Sequence, residues 1–150
     1  MRMLVDTNVL LRFDDTDSPD HPICAAAVDQ MLIEGTELCI CAQVMIEYWA
    51  VATRPIVSNG LGMDTADVSH NLYDAQATFV FLPEPVDIGI RWLDLVTANR
   101  VIGKQVHDAR IVAFMLAYGI THLITLNPSD FARYSGITVA TPSEILATNS

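Results

Sequence analysis

One hundred and fifty residues is the length of one ordinary domain, expected here to span 1–150 as a single unit, and 51% apolar residues with only 17% charged excludes a disordered chain. Eighteen acidic against eight basic residues give a net charge of −10, which excludes a domain that coats nucleic acid through a basic surface. It does not exclude a metal-assisted nuclease, whose site must be acidic in any case.

Asp29, Glu47, Arg91, Asp94 and Arg110 break the apolar stretches well short of the ~20 residues of a spanning helix, so no membrane span is expected. Asp6 interrupts the N-terminal run too early for a secretion signal, and a cytoplasmic protein is predicted. Cys24, Cys39 and Cys41 are an odd count without a second ligand pair, and read as reduced, mostly buried thiols.

In chain order, Met1–Val5 is a short hydrophobic strand ending at Asp6, and Val9 to Phe13 a helical turn. A polar loop, Asp14 to Pro22, leads into a helix from about Pro22 to Glu34, ended by Gly35. Glu37 to Cys41 is a second strand, followed by a helix from about Ala42 to Arg54 that Pro55 stops. After a flexible Asn59–Gly62 connection, Asp64 caps a helix whose apolar face is Ala66, Val68, Leu72, Ala75 and Phe79. Helices over about Val86–Asn99 and Val106–Tyr118 follow, the second closed by Gly119. Leu123–Thr125 and Ile137–Val139 are strands, and Thr141-Pro142-Ser143-Glu144 starts a capped final helix. This alternation predicts an α/β fold, a mainly parallel central sheet flanked by helices in three α/β/α layers.

A parallel sheet places its ligands beyond the carboxyl ends of its strands, so acidic residues there carry weight. Asp6 ends the first strand, where it either caps the following turn or faces a ligand. Asp108 opens a helix and heads its core-facing stripe of Ile111, Val112 and Met115, beyond what favouring the helix dipole requires. Glu47 lies in Val44–Ala52, a helix apolar nearly all round, and a carboxylate is almost never buried without a partner or a metal. Three convergent carboxylates repel one another unless a divalent cation neutralises them, and oxygen-only donors select Mg²⁺ or Mn²⁺ over zinc.

Leu4-Val5-Asp6-Thr7-Asn8-Val9-Leu10, the internal Glu47, Val106-His107-Asp108-Ala109-Arg110-Ile111-Val112-Ala113, and Leu123-Ile124-Thr125-Leu126-Asn127 with Asp130-Phe131 together resemble the PIN domain family. More narrowly they resemble its VapC-type toxin ribonucleases, over essentially the whole chain. The resemblance implies a metal-dependent endoribonuclease in which Asp6, Glu47 and Asp108 hold Mg²⁺, with Mn²⁺ as a substitute. Glu47 would serve as a ligand or, through water, as a general base. The family often carries a fourth acid where this chain has Asn127, whose amide can accept but brings no charge. Asp130 either compensates through a water or caps the turn with Phe131, the second reading being preferred. Thr125 is expected to orient a water on the metal, and Asn8 to hydrogen-bond a ligand carboxylate.

Arg12, Arg54, Arg100 and Lys104 are the candidates for RNA phosphate contacts, weighed against a role as solvated surface charges. Trp49 and Trp92 read as core or dimer contacts, and His107 points about 100° away from Asp108. The implied partners are an RNA substrate, a second copy in a homodimer, and a small VapB-type antitoxin carrying an arginine. The alternative is a catalytically weakened PIN-like RNA-binding or scaffold protein, for which Asn127 speaks. A haloacid-dehalogenase phosphatase would need an acid at Asn8, and a receiver domain an acidic pair that Asp14 and Asp15 do not supply.

Overall fold

The computed structural model describes residues 1–148. Strands β1 (Arg2–Val5), β2 (Glu37–Ile40), β3 (Val80–Phe81), β4 (His122–Ile124) and β5 (Thr138–Ala140) form one sheet in the order β3-β2-β1-β4-β5, and every pairing is parallel. The helices are α1 (Thr7–Asp14), α2 (His21–Ile33), α3 (Ala42–Thr53), α4 (Thr65–Thr78), α5 (Ile88–Asn99), α6 (Gln105–Tyr118) and α7 (Pro142–Ala147). β1 is bonded on both sides, so Met3, Leu4 and Val5 are all buried, and the strand reads as a continuous apolar run without alternation. Leu38, Cys39 and Ile40 in β2, and Leu123 and Ile124 in β4, follow the same rule.

The parallel α/β architecture agrees with the sequence, and the differences are local. β3 was not anticipated: two residues are too few to show a period, and Phe79, assigned to the preceding helix, is instead its extended C-cap. α5 begins at Ile88, after Pro85, Val86 and Asp87, two residues later than expected. The capping box on α7 is present as read, with Thr141 accepting from the Glu144 backbone and the Glu144 side chain returning the bond. The three cysteines are free and buried, and burial above all pushes the Cys24 and Cys39 thiols up to about 11. Among the described residues no helix is long and apolar enough to cross a membrane.

α3 departs most from expectation. Though apolar nearly all round, it is buried on one side only: Val44, Tyr48 and Ala52 face inward, while Ile46 is 64% and Trp49 39% exposed. Tyr48 is fully buried, and its hydroxyl donates to Asp14 Oδ2 at 2.6 Å and accepts from Asn71 Nδ2 at 3.2 Å. This network ties α3 to α1 and α4 away from the sheet edge. Burial, followed by the Asp14 bond and charge, drives the Tyr48 pKa upward, so the phenol stays protonated as the donor. Tyr48→Phe removes the donor from a desolvated carboxylate and is expected to cost about 1–3 kcal/mol. Urea unfolding should read this as a lower midpoint with an unchanged slope.

Candidate functional site

The register of the central strands builds the site. Val5 of β1 lies beside Ile124 of β4, so the next residues, Asp6 and Thr125, are neighbours at the carboxyl edge, where the Asp6 N–H still bonds the Ile124 carbonyl at 3.0 Å. Asp6 is the N-cap of α1 and accepts the Thr7 N–H at Oδ1, 2.8 Å away. Its other oxygen accepts the Thr125 hydroxyl at 2.7 Å and lies 3.5 Å from Asn8 Nδ2. The cap reading and the site reading of Asp6 thus describe one carboxylate, one oxygen for each.

Thr125 is wholly buried, and its hydroxyl is committed to Asp6 while accepting from the Asn127 N–H at 3.1 Å. Its hydroxyl holds the Asp6 carboxylate. Asn8 braces the same corner, taking the Leu126 N–H at Oδ1 and offering Nδ2 to Thr125 and Asp6.

Glu47 is only half-buried, contrary to the buried setting inferred from its apolar neighbours. Two side chains that the sequence did not single out grip it: Thr7 Oγ1 donates to Oε2 at 2.8 Å and Gln43 Nε2 to Oε1 at 2.9 Å. Gln43 also donates to the His107 carbonyl at 2.7 Å, so one buried amide joins α3 to the first turn of α6. The available signal was a glutamine one turn before the glutamate, on the inward face of an apolar helix. The Gln43 Oε1 atom is buried without a partner among the described residues.

Asp108 stands at the start of α6 over the buried Ile111, Val112 and Met115, as its spacing indicated. No hydrogen-bond donor reaches its carboxylate among the described residues. Burial first, then the charges of Asp130, Asp6 and Glu47, raise its pKa to about 7. Burial also raises Asp6, against the Thr125 and Thr7 bonds and with the charges of Glu47 and Asp130. Asp130 sits in a 3₁₀ turn, Pro128–Phe131, and acts more strongly on Asp108 than either other carboxylate does. Asn127, the N-cap of that turn, is exposed and contributes a backbone bond. Asp130 therefore adds a further like charge beside Asp108 and Asp6.

Four carboxylates from four segments influence one another here, and none is within ion-pairing distance of a Lys, Arg or His among the described residues. Like charges gathered without a cation, all with oxygen donors, suit a hard divalent ion such as Mg²⁺. Among the described residues no group of three or more His, Cys, Asp or Glu side chains is arranged so as to hold a metal ion as it stands. Charge and donor type suit a divalent metal.

The four phosphate candidates divide. Arg100, in the left-handed C-cap of α5, and Lys104, at the N-cap of α6, belong to the connection that leads into Asp108. Arg12 lies along α1, paired with Asp15 at 3.7 Å in a cleft with Asp17 and Asp20. Arg54 ends α3 about 10 Å of helix beyond Glu47.

The fold and edge together define an all-parallel α/β domain with an acidic, oxygen-donor site assembled from distant segments. The chain belongs to the PIN domain family, whose profile matches residues 3–137. It is similar to Ribonuclease VapC24 of Mycobacterium tuberculosis, 24% identical over 135 residues, which covers 87% of this chain and 89% of that protein. Among solved structures it resembles VapBC2 from Rickettsia felis bound to a fragment of promoter DNA, with a TM-score of 0.70 at 14% identity, covering 94% of this chain and 98% of that one. It also resembles M. tuberculosis VapC20, a toxin that cleaves the Sarcin-Ricin loop, with a TM-score of 0.59 at 14% identity over 81% of this chain and 86% of that one.

Proposed function

We propose that this protein is a metal-dependent endoribonuclease that hydrolyses RNA phosphodiester bonds, acting as the toxin of a VapBC-type toxin–antitoxin pair. The observation that carries it is the cluster of Asp6, Glu47, Asp108 and Asp130 at one sheet edge, where Glu47 and Asp130 add like charge to both Asp6 and Asp108 and none has a cationic partner among the described residues. When bound, Mg²⁺ or Mn²⁺ would supply the compensating charge and the lowered water pKa that phosphodiester attack requires.

The chain's own residues supply the rest. Thr125, Asn8 and the Thr7 N–H fix the Asp6 carboxylate in one orientation, so that no reorganisation is needed when an ion or phosphate arrives. Thr7 and Gln43 hold Glu47 by one bond to each oxygen, leaving a lone pair on each with which to take a proton from water. Among the described residues Asp108 and Asp130 receive no such bonds, which leaves both carboxylates free to turn toward an ion.

The likeness to toxin–antitoxin complexes supports a basic antitoxin as partner, and fourteen of the eighteen acids, within residues 1–87, give it a strongly acidic surface to meet. Exposed Ile46, Trp49 and Tyr73 on α3 and α4 support a homodimer. Incubating the protein with single-stranded RNA in Mn²⁺ tests the activity: cleavage that EDTA stops is expected, and its absence with every divalent cation would favour the scaffold reading.

The role of Asp130 has its own test. Asp130→Asn removes the neighbouring charge that bears most on Asp108, and the Asp108 pKa is expected to fall toward its ordinary 3.8. Carboxyl NMR titration without metal should show that fall. Asn127→Ala should leave the titration of Asp108 in place and change RNA cleavage by less than about threefold.

A further inference from the structure

The basic residues are unevenly spread: residues 88–150 hold five of the eight Lys and Arg but only four of the eighteen acids, and two of those four are Asp108 and Asp130. Several cations gather at the first turn of α6. Lys104 is its N-cap, Arg133 donates to Gln105, and Arg110 follows on the helix. Beside that turn is a cavity of about 350 Å³ lined by Ile88, Gly89, Trp92, Val106, His107 and Arg110, within the ~300–1,000 Å³ of small-ligand sites. The Trp92 indole N–H is consumed by the Val106 carbonyl at 2.9 Å, which fixes the ring and leaves it only an apolar face to offer. Arg110, bonded to Glu84, presents its guanidinium at the rim. The cavity adjoins the carboxylates, because Gln43 donates both to Glu47, at 2.9 Å, and to the backbone carbonyl of His107, a lining residue, at 2.7 Å.

We infer that this cavity takes an unpaired nucleobase of the RNA flanking the scissile phosphate, so that Trp92 and Arg110 set base preference while the cations of the α6 turn meet the phosphates. Flat aromatic and guanidinium surfaces beside a cationic rim are how single-stranded RNA is gripped, and an apolar wall with few polar groups suits a base better than a sugar. The inference rests on the ribonuclease reading of the neighbouring site.

Gly89 gives the test, since a Cβ there meets no atom within 4 Å and a larger side chain would enter the cavity without disturbing the core. A random-sequence single-stranded RNA carrying 2-aminopurine is titrated against the full-length Asp6→Asn protein with and without Gly89→Leu. The same RNA is then cut by the wild type and by Gly89→Leu in Mn²⁺, and the fragment ends are sequenced. Gly89→Leu is expected to weaken binding by about tenfold, to abolish quenching of 2-aminopurine by Trp92, and to flatten the base preference at one position near the cut. Unchanged binding and preference, or no RNA binding by the Asp6→Asn protein, would overturn the inference. Binding that depends on Gly89, in a wild type that cuts nothing, would uphold the pocket and reject the nuclease.

Discussion

Replacing Asp108 with Asn is expected to abolish RNA cleavage and, in the same protein, to raise the melting temperature. The loss in rate should be about a thousandfold, because an amide in place of a carboxylate proposed to hold the metal supplies no charge to do so. The gain in stability has the opposite origin. Asp108 is held near 7 in the folded chain against an ordinary 3.8, so folding becomes less favourable as pH rises through that window and the carboxylate must ionise among like charges. Below the ordinary value both states are protonated and nothing is lost; above about 7 the full penalty is present. Thermal melts in EDTA should therefore separate Asp108→Asn from the wild type more at pH 8 than at pH 5. The wild type's cleavage should likewise rise with pH through the titration of Asp108, since a proton and a cation compete for the same oxygens. Equal melting shifts at both pH values would mean that the carboxylate is not constrained as described.

Thr125→Val should have the second-largest effect. Valine keeps the shape of the buried side chain but removes the hydroxyl that donates to Asp6 and accepts from Asn127. Leaving a buried carboxylate and an N–H short of a partner is expected to cost about 1–3 kcal/mol of stability. Cleavage should fall by about 10- to 100-fold, the usual scale for a group that orients a metal-holding side chain. The Asp6 pKa loses its main lowering influence and should climb further, moving the acid limb of the pH–rate profile to higher pH. Thr125→Ser, which keeps the hydroxyl, should recover most of the rate. Failure of that rescue would point to packing as the reason for the threonine.

The sequence made the strand-end carboxylates legible because their positions obey simple rules. Asp6 follows a continuous apolar run and precedes a helical turn, and Asp108 heads a stripe at 3, 4 and 7 residues. Glu47 was found for an incomplete reason. Its apolar neighbours suggested deep burial, whereas Ile46 and Trp49 point outward and the carboxylate is held by Thr7 and Gln43 across tertiary contacts that no local spacing encodes. A 3₁₀ turn has no period from which to read the direction of the Asp130 side chain, and its charge bears on Asp108 only when that turn packs against α6. β3 was missed because two residues between a helix and a proline carry no alternation.

The central claim is that these four carboxylates gather to hold a divalent cation where RNA is cut. A crystal of the wild type soaked in Mn²⁺, with anomalous scattering recorded at the manganese edge, tests it most directly. Anomalous density touching Asp6 and Asp108, with Asp130 nearer to it than Asn127, is the expected result. A fully soaked crystal with no density at this edge, or with manganese bound only elsewhere on the acidic surface, would contradict it.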